Sequence, residues 1–188
     1  MNAIADRYRI RADAFERKVA AVRPDQWSNQ SPCEKWNARD VVRHIIEMHG
    51  VMLRPLDRRL STAPAVENDP LGAFRAARAD IEAVLGDPDL AKTEDYSPVG
   101  RLTVEQHIDQ VISADIVIHG WDLARATGQD DRIDPADIDR LWKLWNGVFT
   151  LLGEETLRAQ GVCGPAVKVP EDAEPQDRLL GLLGRDPR

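Results

Sequence analysis

The sequence predicts an all-α fold: an up-and-down four-helix bundle with an additional short helix and an extended C-terminal strap. Three observations lead to this prediction. Apolar residues recur at steps of three and four along several long segments, which is the period of an amphipathic helix. These segments begin and end at residues that commonly cap helices. No segment of useful length alternates between apolar and polar residues, as a half-buried strand would.

The first predicted helix covers residues 3–22 and ends before Pro24; its apolar stripe comprises Tyr8, Ala12, Phe15, Val19 and Val22. The second begins after Asn37, whose side chain can accept a hydrogen bond from the first helical turn. Pro55 ends or kinks this helix, because proline cannot donate the next hydrogen bond. The third helix is predicted over residues 70–86, and the intervening segments are predicted to be loops.

The fourth predicted helix begins with a capping box at Thr103 and ends at Gly128, a residue suited to the left-handed position after a helix. A fifth helix is capped by Asp134, with a proline in its first turn. Residues 87–102 are predicted to be irregular. The tail from Gly161 is proline-rich and is predicted to form the strap, which ends in the short helix.

The length fits one domain with a sizeable core or two very small ones, and we expect a single helical-bundle domain over residues 1–188. The formal net charge of −7 disfavours a nucleic-acid groove, which needs clustered basic side chains. The first residues lack the apolar stretch of a signal peptide, and no run approaches the roughly 20 apolar residues of a membrane span. A cytoplasmic protein with no membrane partner is expected, with Cys33 and Cys163 as unbridged thiols.

An aspartate and a histidine, Asp115 and His119, lie four residues apart inside the apolar run from Ile108 to Trp121. Four steps bring both side chains to within about 40° on one helix face. A buried lone carboxylate is costly unless it is paired, protonated or bound to a cation. The pair therefore predicts either two ligands of a metal ion or a plain Asp–His hydrogen bond at a helix surface.

A third ligand would have to come from a neighbouring helix. His44 lies close to the apolar stripe of the second helix and is preferred as this ligand over a purely structural core histidine. His49 lies about 140° further around that helix, so both cannot easily face one ion. His107 is expected to be a pocket or surface residue. Two histidines and one aspartate leave coordination positions open, which indicates catalysis, and the same set suits non-haem iron.

Several segments resemble a known family. Residues 31–36 followed by 40–44 resemble the SPC-x-x-W…D-x-x-x-H segment of the DinB/YfiT-like metalloenzymes, in the branch that includes mycothiol-dependent maleylpyruvate isomerase. Residues 115–128 resemble the helix of the same branch in which an acidic residue and a histidine four apart bind zinc. Residues 178–187 resemble the end of the branch's short, single-domain members.

The resemblance implies a DinB-like four-helix bundle that holds a divalent metal through His44, Asp115 and His119. Zinc is the expected ion, with nickel and iron as alternatives. The resemblance also implies mycothiol as a thiol cofactor. Two departures from the isomerase argue against assigning its reaction directly: it has glutamate at the position of Asp115, and it carries a C-terminal domain that this chain is expected to lack.

The leading hypothesis is a metal-dependent enzyme, a thiol transferase or isomerase, in which a metal-bound thiolate adds to, or displaces a group from, a small electrophile. Trp36, Trp121 and Asp122 are candidate pocket residues or residues that orient a ligand; for Asp122, pairing with Arg125 is the preferred role. The alternatives are metal-assisted hydrolysis and a non-catalytic bundle with a vestigial metal site that binds a ligand or partner. A small-molecule substrate is expected, and a homodimer stays open.

Overall fold

The computed structural model describes residues 2–188 and is mostly helical, which confirms the all-α fold class. Its elements in chain order are α1 (Ala3–Ala20), α2 (Ala38–Leu53), α3 (Pro70–Gly86), α4 (Pro88–Ala91), β1 (Glu94–Ser97), β2 (Gly100–Thr103), α5 (Val104–Gln110), α6 (Ile112–Thr127), α7 (Pro135–Leu152), α8 (Glu154–Ala159) and α9 (Pro175–Leu182). None of the helices formed by residues 2–188 combines the length and apolar character that a bilayer crossing needs.

Tertiary contacts divide the chain into two compact units. The first ends at Asp131 and contains α1 to α6 with the two strands, and the second comprises Arg132–Arg188 with α7 to α9. The expectation of one domain over residues 1–188 stays a prediction.

Four helices of the first unit, α1, α2, α3 and α6, form a bundle. Both α1 and α2 pack against α3 and against α6. The side chains between them are those of the apolar stripes, and the largest fully buried ones of this core are Tyr8, Phe15, Ile45, Leu53, Phe74, Ile81, Ile108, Ile112, Ile116 and Leu123. Burial of these stripes, at roughly 1.5–3 kcal/mol for each large apolar side chain, is the main source of stability.

Capping residues fix where these helices start and stop, as the sequence predicts. The Asn37 side chain accepts a hydrogen bond from the backbone N–H of Asp40, and the Asp40 carboxylate accepts one from the N–H of Asn37. Thr103 and Gln106 form the same reciprocal pair at α5. Gly128 ends α6 with a φ of 67°, a left-handed conformation that glycine adopts without steric cost.

The structure differs from the sequence expectations between residues 87 and 128. Strands β1 and β2 form an antiparallel hairpin where irregular chain was predicted, because four-residue strands are too short to show an alternating pattern. The predicted fourth helix is divided at Val111 into α5 and α6. Neither glycine nor proline marks this break, so the sequence carried no signal for it.

The second unit is built on α7, which packs against α8 and α9. The predicted strap lies between α8 and α9, and the short terminal helix is α9, whose Leu179 and Leu180 are fully buried. Gly164 and Gly184 approach closely: a Cβ atom on Gly184 would lie 2.7 Å from the Gly164 Cα. Gly184 also has a φ of 85°, so both observations require glycine there. Helix α8 was not predicted.

Candidate metal centre

His44, Asp115 and His119 come together where α2 packs against α6. Each offers one ligand atom, and these atoms all lie within 4.8 Å of one another; His44 Nε2 is 3.6 Å from Asp115 Oδ2. A tetrahedral ion with bonds of about 2 Å spaces its ligand atoms by roughly 3.3 Å. The side chains therefore need only small adjustments to surround one ion, and two imidazoles with a carboxylate are a donor set that zinc accepts.

The three side chains lie at the edge of the bundle core. The His119 side chain is only 9% exposed, whereas those of His44 and Asp115 are 25% and 21% exposed. The ligand cluster thus reaches solvent on the side of His44 and Asp115. This arrangement is compatible with an exogenous group entering an open coordination position.

Trp36 covers the two histidines from the loop that precedes α2. Its ring centroid lies 4.6 Å from that of His44 and 5.4 Å from that of His119. The loop is held through the Trp36 carbonyl, which accepts hydrogen bonds from the Ser31 hydroxyl and the Gln30 side-chain amide. The indole therefore forms an apolar wall beside the ligands, and its role as a pocket residue stays a prediction.

Asp122 is fully buried and contacts His119 directly. Its Oδ2 atom lies 2.8 Å from His119 Nδ1. An ionised carboxylate only accepts hydrogen bonds, so Nδ1 carries the proton and the lone pair is on Nε2. This is the usual way in which a carboxylate orients a metal-binding histidine. The contact is compatible with the orienting role for Asp122, and both this role and the preferred pairing with Arg125 stay predictions; Arg125 also lies 3.4 Å from Asp131.

Trp121 lies on a different face of α6 from the ligands. It follows His119 by two residues, about 200° around the helix. Its side chain is 2% exposed, and the guanidinium of Arg125 lies over its ring at 5.6 Å. The ring contacts with the site histidines come from Trp36, so the pocket role for Trp121 stays a prediction.

The other two histidines have separate partners. His49 is fully buried, with Nδ1 2.6 Å from the Ile45 carbonyl oxygen and Nε2 2.9 Å from the Tyr8 hydroxyl. A carbonyl only accepts, so Nδ1 donates to Ile45 and Nε2 accepts from Tyr8. His107 Nδ1 lies 2.7 Å from an Asp95 oxygen and joins α5 to β1.

We expect the free energy of unfolding to fall as the pH drops from about 6.5 to about 4. Burial lowers the pKa of His49 from 6.5 to about 4. Between these pH values the His49 ring is protonated in the unfolded chain and neutral in the folded chain, so lowering the pH favours unfolding. The loss should reach about 3 kcal/mol. Denaturant unfolding across this range measures it. His49→Gln should lose most of this slope, whereas His107→Gln should keep it; an unchanged slope in His49→Gln would contradict the assignment.

Cys33, which the sequence predicted only as an unbridged thiol, also lies near this site. Its Sγ atom lies 3.3 Å from Asp122 Oδ2, and Cys33, His119 and Asp122 each offer a ligand atom within 4.8 Å of the others. Cys33 and Asp122 are separated by 89 residues, and only the tertiary fold brings them together. Within residues 2–188 neither cysteine forms a disulfide, as expected.

Comparison with known proteins gives a family match over most of the first unit. The family model for the mycothiol maleylpyruvate isomerase N-terminal domain matches residues 8–124, a range that contains Trp36 and all three clustered ligands. Two uncharacterized proteins of Mycobacterium tuberculosis, from strains CDC 1551 / Oshkosh and ATCC 25618 / H37Rv, are each 26% identical over 187 residues. The alignments cover 94% of this chain and 94% of each relative. No solved structure gives a significant match.

Proposed function

The chain belongs to the mycothiol maleylpyruvate isomerase N-terminal domain family, and from this premise we propose that it is a divalent-metal-dependent enzyme. It uses mycothiol as a thiol cofactor and acts on a small electrophile, as a transferase or an isomerase. The observation that carries the proposal is the convergence of His44, Asp115 and His119 within 4.8 Å at the edge of the bundle core.

The ligand types support zinc as the metal, because two imidazoles and one carboxylate leave an open position on a tetrahedral ion. The same donors also suit iron or nickel. A divalent ion held there favours the deprotonated, nucleophilic form of a thiol that binds to it. Metal binding and the family's link to mycothiol thus both support a reaction in which a metal-bound thiolate is the nucleophile.

The remaining residues have distinct positioning roles. Asp122 holds the His119 ring in one orientation through Nδ1, which keeps Nε2 available to the ligand cluster. Trp36 packs against His44 and His119 and gives that side of the cluster an apolar surface. A small organic electrophile binds best against apolar walls that carry few polar groups, and the indole of Trp36 supplies such a wall.

The test is turnover of small electrophiles by the metal-loaded full chain, with and without mycothiol. We expect turnover to require both metal and thiol. A thioether product identifies a transferase, and a rearranged substrate with the thiol regenerated identifies an isomerase. Turnover of the substrate with water alone would indicate a hydrolase instead, and metal binding without either reaction would favour the non-catalytic bundle.

Trp36→Ala tests the substrate wall in the same assay. We expect KM to rise by about tenfold, which corresponds to the roughly 1.4 kcal/mol of a lost aromatic contact, while metal content stays unchanged. Trp142→Ala is the matched control, because Trp142 is a half-buried tryptophan on α7 in the second unit. If Trp36→Ala and Trp142→Ala change KM equally, Trp36 does not contact the substrate.

A further inference from the structure

A second cluster of ligand atoms lies beside the proposed metal centre and contains sulfur. Cys33 Sγ lies 3.3 Å from Asp122 Oδ2, and the same oxygen lies 2.8 Å from His119 Nδ1. Cys33 is half-buried, His119 is buried and Asp122 has no exposed surface. The cluster thus joins a thiol in the loop before α2 to a buried carboxylate and an imidazole on α6.

The donor chemistry of this cluster differs from that of the His44 cluster. Thiolate is a soft ligand, and it selects soft, thiophilic ions. A tetrahedral ion with an M–S bond of about 2.3 Å and M–N and M–O bonds of about 2 Å spaces these donors by roughly 3.3–3.6 Å. The 3.3 Å Sγ–Oδ2 separation already lies in this range, whereas the 2.8 Å Oδ2–Nδ1 separation must widen by about 0.5 Å, and further for the larger Cd²⁺. The ligand atoms of Cys33 and His119 lie within 4.8 Å of each other.

We propose that Cys33, Asp122 and His119 form a second metal site, which takes a thiophilic ion such as Cd²⁺. His119 binds this ion through Nδ1, the nitrogen already directed at Asp122. The Cys33 S–H proton leaves to solvent as the sulfur–metal bond forms. The Nδ1 proton is displaced to Nε2, so the ring stays neutral.

The two ligand clusters share the imidazole of His119, so only one of them can hold a metal ion at a time. When Nδ1 binds the thiophilic ion and Nε2 carries the proton, Nε2 has no lone pair for an ion held by His44 and Asp115. A thiophilic ion therefore competes with zinc for His119 although the other ligands differ. This site depends on the contacts of Asp122 and does not require the proposed thiol-dependent activity.

Titration of the purified full chain with Cd²⁺ tests this site, with the ultraviolet charge-transfer absorption of the Cd–thiolate bond as the signal. We expect the band to saturate near one Cd²⁺ per chain. Cys33→Ser should abolish it, and Asp122→Asn should weaken Cd²⁺ binding by more than about tenfold, because Asp122 is itself a ligand here and residues that only support a ligand already contribute roughly 10- to 100-fold. His44→Ala should keep the band, which separates this site from the one proposed for zinc.

Cys163→Ser is the matched control and should also keep the band. Cys163 is buried in the second unit, where Arg158 approaches its sulfur at 3.6 Å and disfavours a cation. X-ray absorption of the Cd²⁺-loaded Cys163→Ser protein, in which Cys33 is intact, identifies the atoms bound to the ion. We expect one sulfur neighbour together with nitrogen and oxygen neighbours. Absence of sulfur around Cd²⁺, or a band that persists in Cys33→Ser, would overturn the proposal.

Discussion

His119→Ala is expected to abolish divalent-ion binding at the His44 cluster and to leave the helical bundle folded. The substitution removes a metal ligand. Metal affinity should therefore fall by more than the roughly 10- to 100-fold that is typical when a residue supporting a ligand is changed. The fold should survive because its stability comes from the apolar core, whose largest members are other residues of α1, α2, α3, α5 and α6. Elemental analysis after dialysis measures the metal, and far-UV circular dichroism during heating measures the fold.

His107→Ala is the matched control for this substitution. His107 is a half-buried histidine paired with Asp95, outside the metal-ligand clusters of the described residues. It should retain the wild-type metal content. Collapse of the fold in His119→Ala alone would mean that the metal is structural, and an unchanged metal content would place the ion elsewhere in the molecule.

Asp122→Asn is expected to lower zinc affinity by about 10- to 100-fold, without removing any ligand of the His44 cluster. Asparagine has nearly the same shape and its carbonyl oxygen still accepts from Nδ1, but it carries no negative charge to strengthen the His119–metal bond. Competition with a chromogenic chelator measures the affinity. Asp131→Asn, which alters the ion pair with Arg125, should leave the affinity unchanged. If wild type and Asp122→Asn bind zinc with equal affinity, the charge of Asp122 does not strengthen the His119–metal bond.

The parts of the site that the sequence predicted are those that depend on local spacing. Asp115 and His119 share a face because of helical geometry, and His44 follows from its place beside the apolar stripe of α2. The role of Asp122 could not be decided in this way, because His119 and Arg125 are both three residues from it. The structure adds the contact of Asp122 with His119 and the full burial of Asp122, neither of which spacing alone could give.

What the sequence could not predict depends on contacts between distant segments. Cys33 reaches Asp122 only because the loop before α2 folds back on α6. The division at Val111 falls within an apolar run that is compatible with a continuous helix, so it too escaped prediction. Helix caps, by contrast, act within one turn, and the predicted caps at Asn37, Thr103 and Asp134 are all present.

The way in which the Trp36 loop is held bears on how substrate range can diverge. The hydrogen bonds from Ser31 and Gln30 are accepted by the backbone carbonyl of residue 36. They can therefore form whichever side chain that residue carries. Selection can therefore exchange the indole for another wall while the loop keeps its path and α6 keeps its ligands. On the proposed function, we expect substitutions at position 36 to alter substrate specificity with little loss of folding stability or of metal affinity.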